Sequence, residues 1–183
     1  MLEDYLIFYA SPTLACLKTA SLFNVKRIPL NKLEAQIDIL NKQFKTKGLY
    51  LTILKKSNNN ALVYLYRKTL LNQDLLRPGV NEFLKAYGYE YNNADRAIES
   101  LKQRFNHDEA FPHEIGIFLG YPLEDVIGYI QNSGKNSKCC GFWKVYGDDK
   151  SAEKKFLKLD KCRSIYNRLW KKGCSIHKLT VAA

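Results

Sequence analysis

Cys174-Ser175-Ile176-His177 sets a thiol and an imidazole around a two-residue spacer, and Cys139-Cys140 supplies two more thiols. Zinc or iron takes such ligands, but a structural site uses two closely spaced pairs. Vicinal cysteines strain binding to one ion, so no metal-ligand set is assigned. His113-Glu114 begins the pattern of a zinc peptidase helix. Its second histidine would stand at position 117, which is Ile117, so the motif is absent and a zinc protease is not expected. His113 follows Pro112 in the first turn of an expected helix and is kept as a candidate ligand-binding residue, because small pockets recruit such groups. Lys138 precedes Cys139-Cys140, and a nearby cation lowers a thiol pKa. No Cys-x-x-Cys pair is present, and two half-buried strand cysteines are the plainer reading. Ala10 to Ala15 could form a strand-to-helix turn facing an anion, but it lacks the glycines of a phosphate loop.

Aromatic residues include 12 tyrosines, 9 phenylalanines and 2 tryptophans. That content permits a pocket for a planar cofactor such as a flavin or haem. Trp143 and Tyr146 on one expected strand, with Tyr64 and Tyr66 on a hairpin, are its candidate lining. Lys144 and Lys18 join them as candidate contacts for an anionic ligand. The competing reading is ordinary core packing, which large aromatics dominate.

The formal net charge is +11, unevenly spread. Residues 1–92 carry +6, residues 93–134 carry −4 and residues 135–183 carry +9. Such a layout favours an acidic protein, a phosphate-bearing ligand or nucleic acid. Lys154, Lys155, Lys158, Lys161, Lys171 and Lys172, all on one expected helix, are the candidate partner-binding residues.

These groups need elements to hold them. Leu2 to Tyr9 reads as helix or strand, and both readings stay open. Ser11-Pro12 has the form of a helix start, yet Pro12 to Lys18 could equally be extended. Leu33, Ile37, Leu40 and Phe44 recur at helical spacing and predict a helix over 30–44, closed by Gly48. Residues 49–54 and 61–66 predict a hairpin around the polar turn 55–60. Helices are expected over 70–76, 78–87, 94–105, 112–119 and 122–131. Gly141 to Gly147 alternates as a third strand, and Ser151 to Lys172 is a long basic helix capped by Gly173. Ser175 to Val181 would add a short edge strand. The fold expected is one α+β domain: a small, mainly antiparallel sheet of three to four strands with about seven helices.

Ile115-Gly116, Leu119-Gly120, Val126 and Tyr129 approach helix-turn-helix spacing. The second helix would open on Glu124-Asp125, and two carboxylates there would repel phosphates. An αα-hairpin is the better reading.

Several segments together carry a resemblance: Pro12 to Lys18 with Ser21-Leu22-Phe23, Val63-Tyr64-Leu65-Tyr66-Arg67, Phe111 through Val126, and Gly141-Phe142-Trp143-Lys144-Val145-Tyr146. In this order they resemble an uncharacterised family of anaerobic, mostly clostridial, bacterial proteins catalogued as domain of unknown function 3793. The resemblance covers most of the chain. It supplies no catalytic residue, and it implies flavodoxin-linked or iron-linked redox physiology. Cys16 departs from the family pattern, where a small residue such as Gly is expected.

The N-terminus Met1-Leu2-Glu3-Asp4 is acidic where a secretory signal is basic, and no lipidation motif is present. No run approaches the roughly 20 apolar residues of a membrane span. Five cysteines at irregular spacing fit a reduced, cytoplasmic protein. The expected function is a binding or accessory protein docking an acidic protein, with flavodoxin as the named guess, or an anionic ligand. Two alternatives are carried: a sequence-nonspecific nucleic-acid binder using the basic C-terminal helix, and a redox or iron enzyme with a planar cofactor.

Overall fold

Leu2, Leu6, Ile7, Ala10 and Leu14 share one side of a helix, and all are buried. That stripe settles the first open segment in the computed structural model, which describes residues 1–57, 60–107 and 110–182. Helix α1 runs Leu2–Leu14 and carries Pro12 inside it. Ser11-Pro12 therefore lies near a helix end and does not open a helix. Burial of the apolar stripe outweighs the backbone bond that proline forfeits.

The remaining elements follow in order: β1 Ala20–Lys26, α2 Leu30–Phe44, a 3-10 turn Lys45–Lys47, β2 Leu49–Ser57, β3 Asn60–Arg67, α3 Lys68–Leu75, α4 Val80–Ala86, α5 Ala94–His107, α6 Ile115–Phe118, α7 Leu123–Gln131, β4 Cys139–Cys140, β5 Lys144–Val145 and α8 Asp149–Lys171. Eight helices and two small antiparallel sheets among the described residues make an α+β fold. No described helix is long and apolar enough to cross a membrane.

The chain divides into two compact units, 1–71 with 162–183 and 72–161. In the first, the sheet order is β1-β3-β2, all antiparallel. Val63 faces Phe23 on one side and Ile53 on the other. Ala61, Val63 and Leu65 point to one face, where α1 and α2 supply Leu6, Leu33, Ile37, Leu40 and Phe44 to a common core. Each large apolar side chain buried there contributes about 1.5–3 kcal/mol. The hairpin is longer than its pattern predicts. Lys55, Lys56 and Ser57 pair with Leu62, Ala61 and Asn60, past an irregularity between Ile53 and Lys55. Of the expected turn, Asn58 and Asn59 lie outside the described residues.

Strand β1 has no counterpart in the predicted elements, although Phe23 and Val25 are buried while Asn24 and Lys26 are exposed. Two other expectations need correction. The third strand contracts to Lys144–Val145, paired with Cys139–Cys140 in a sheet of its own. Ser175 to Val181 is not an edge strand. Leu179 N bonds Ser175 O at 3.1 Å and Thr180 Oγ1 bonds Ile176 O at 2.8 Å, so polar groups there are satisfied by a local turn.

The second unit buries Leu84, Tyr89, Leu101, Phe105, Ile115, Phe118, Val126, Trp143 and Phe156. Its helix α6 has four residues where eight are expected, because His113 and Glu114 form a turn before it, closed by Ile115 N bonding Pro112 O at 3.1 Å.

Candidate functional site

Asp125 stands in the first turn of α7 and is 3% exposed. Its carboxylate accepts from Trp143 Nε1 at 2.7 Å, Tyr146 N at 2.7 Å and Gly147 N at 2.9 Å. A buried carboxylate is stable when its oxygens are this fully engaged. Asp125 thus ties α7 to the β4–β5 hairpin and offers no charge outward. Trp143 is 7% exposed, stacked against Tyr121 at 5.0 Å and met edge-on by Phe156 at 4.5 Å. Burial pushes the Tyr121 phenol up to about 12, and its hydroxyl donates to Phe142 O. The Lys155 ammonium lies 5.4 Å from the Trp143 ring centre. Desolvation first, then Arg77, holds its pKa below the usual lysine range, with Asp74 opposing.

The other candidate ligand contacts also have protein partners. Tyr146 donates its hydroxyl to Lys135 O, and Lys144 donates to Gly134 O, so both brace the loop before β4. Tyr64 and Tyr66 lie on β3 in the first unit, buried, with rings stacked at 5.2 Å. Trp143 and Tyr146 therefore share no sheet with them. Lys18 is buried and donates to Ala20 O.

His113 has a different setting. It is exposed, and its ring meets Phe111 at 5.5 Å and Tyr129 at 5.0 Å. It lines an open groove of about 480 Å³ with Tyr87, Arg104, His107, Phe111 and Ile130. Beneath lies Glu114, 2% exposed, which accepts from Arg104 Nε at 3.0 Å and from the Tyr89 hydroxyl at 3.1 Å. Burial, then the Glu114 charge, raises the Tyr89 pKa, so that phenol stays protonated. The groove combines aromatic walls with imidazole and guanidinium groups, a composition suited to a small anion carrying a ring.

The basic helix presents the most regular arrangement. Lys150, Lys154, Lys158 and Lys161 of α8 are exposed and fall within an arc of about 80° at about 3.6 residues per turn. Ala152, Phe156 and Leu159 are buried on the opposite side. Glu153 and Asp160 fall outside the lysine arc on one flank. None of the four lysines has a side-chain hydrogen bond or ion pair among the described residues. The row spans roughly 16 Å. Lys155 stands apart from it over Trp143. Lys171 and Lys172 are exposed at the far end of α8, in the first unit.

The family model described as Protein of unknown function (DUF3793) matches residues 6–180. The chain belongs to that family. None of the curated proteins and none of the solved structures compared with it matches. In this DUF3793 chain all five cysteines are free thiols. Cys139 is not activated by Lys138, whose ammonium donates to Gly147 O. Desolvation raises the Cys139 pKa, followed by the charges of Glu153, Asp149 and Asp125. Among the described residues no three His, Cys, Asp or Glu side chains cluster to hold a metal ion.

Sequence reasoning passed over Arg67. It is 0% exposed, and its guanidinium donates to Thr13 O and Leu14 O at 2.7 Å and to Val181 O at 2.8 Å. It caps the last carbonyls of α1 and secures the C-terminal segment to them. A positive group at a helix C-terminus is favourable, which offsets part of its burial. Desolvation still lowers its pKa. The one signal in the sequence is a charged residue closing an apolar strand, which reads equally as an exposed strand end.

Proposed function

We propose that this protein is a binding or accessory module that docks an acidic protein through the lysine row of α8, with flavodoxin as the first partner to test. The carrying observation is Lys150, Lys154, Lys158 and Lys161 aligned on one exposed arc without carboxylate partners. Four cations along roughly 16 Å, facing away from the buried stripe, match a carboxylate-rich surface better than a small pocket ligand. The +9 charge of residues 135–183 adds long-range attraction.

The test is calorimetric titration against flavodoxin at low and moderate salt, with a Lys154→Glu/Lys158→Glu/Lys161→Glu variant alongside. Binding at low salt, weakened by added salt and by about tenfold or more in the variant, is expected. No binding at low salt ends the proposal. Duplex DNA held more tightly than flavodoxin, and lost in the same variant, would favour a phosphate-binding role for the row.

A further inference from the structure

A second surface lies wholly in the first unit, where α1 meets β1. Phe8 and Tyr9 are 57% and 51% exposed, an unusual placement for two adjacent large aromatics. Their rings meet edge-to-face at 4.7 Å. Tyr9 in turn lies parallel to Phe23, at 5.8 Å and 7°. Tyr5 continues the array and is fixed by donating its hydroxyl to Lys26 O at 2.7 Å. The aromatic surface is therefore carried on α1 and packed against Phe23 of β1.

An open groove of about 450 Å³ is lined by Tyr5 and Tyr9 of this array, and a second of about 730 Å³ begins beyond it; Lys26 and Arg27 line both. These two cations are exposed and have no ion pair among the described residues. Asp4, one turn before Phe8, is already engaged by Trp170 Nε1 at 3.1 Å.

We propose that this face binds single-stranded nucleic acid, with bases stacking on Phe8 and Tyr9 and phosphates meeting Lys26 and Arg27. Base stacking on aromatic side chains beside a cationic track is how sequence-tolerant single-strand binding works. A duplex buries its base faces in its own stack and would offer only phosphates here. A lone mononucleotide would find no enclosing wall, whereas a strand can occupy both grooves beside the shared cation pair. The site is separate from the lysine row, and either proposal can fail without the other.

The experiment is fluorescence anisotropy with a labelled short oligouridylate, at several salt concentrations, on the full chain. Binding at low salt is expected, with Phe8→Ala/Tyr9→Ala weakening it about tenfold or more and Tyr9→Phe retaining it. Arg27→Glu should weaken binding and reduce the salt slope by about 0.7. Circular dichroism checks the fold of each variant. If the double aromatic variant unfolds, Phe8→Ser and Lys26→Glu/Arg27→Glu carry the decision. No binding by the wild type at low salt overturns the proposal. So does unchanged affinity in the folded aromatic variants, equal affinity for a duplex of the same length, or equal affinity for uridine monophosphate.

Discussion

Trp143 Nε1 donates to Asp125 Oδ2 at 2.7 Å, with both side chains buried. This bond and the two backbone donors on Asp125 Oδ1 make one carboxylate the junction between a helix start and a short hairpin. Of the two carboxylates that open α7, Asp125 is thereby spent internally and only Glu124 stays exposed.

Asp125→Ala should destabilise the protein by about 3 kcal/mol or more, since three donors lose a buried acceptor. Urea unfolding measures it, and Trp143 emission should shift to longer wavelength before the global transition. Asp125→Asn keeps an oxygen for the backbone donors and should cost less.

Cys16 has φ 59° directly after α1. Leu17 N bonds Pro12 O at 2.9 Å and Cys16 N bonds Thr13 O at 3.2 Å, the pairing of a Schellman cap. Cys16 therefore occupies the position where glycine is strain-free. Cys16→Gly should stabilise by about 1 kcal/mol, and Cys16→Val should destabilise by at least as much. Thermal melts of the two variants should move in opposite directions.

Gly128 sits inside α7, where alanine is ordinarily worth about 1 kcal/mol more than glycine. Here a Cβ would stand 2.6 Å from Tyr146 Cβ and 3.0 Å from its Cδ1. Gly128→Ala should therefore destabilise, by about 1–3 kcal/mol net of propensity. Chemical denaturation decides the sign.

Burial raises Cys162 from 9.0 to about 11, and Tyr121 and Tyr166 from 10.0 to about 12. The folded chain keeps protons that the unfolded chain releases, so unfolding is favoured as pH rises. Stability from these groups should be whole below pH 9.0, fall through the interval to about 12, and be lost above it. The urea midpoint followed against pH tests this, and Tyr121→Phe should flatten the upper part of the decline.

Much of the architecture is legible in local pattern. Leu33, Ile37, Leu40 and Phe44 mark α2 from end to end, because a helix face repeats within the reach of neighbouring turns. The hairpin of β2 and β3 and the span of α8 are visible for the same reason. Strand β1 escapes because its Phe23/Val25 alternation is short and becomes a strand only against β3. The candidate surfaces divide similarly. The lysine row follows from helical spacing once α8 is recognised, while the exposure of Phe8 and Tyr9 needs the outer side of α1 to be known.

The amino-acid order alone establishes the α+β class, the family and the cationic character of the chain, since these depend on residue type and short-range periodicity. Which polar groups are consumed inside the protein is a long-range matter. Asp125 reaches Trp143, and Arg67 reaches Thr13, Leu14 and Val181, across separations that no local pattern encodes. Folding brings those partners within hydrogen-bond distance, while the α8 lysines and the Phe8–Tyr9 face stay exposed.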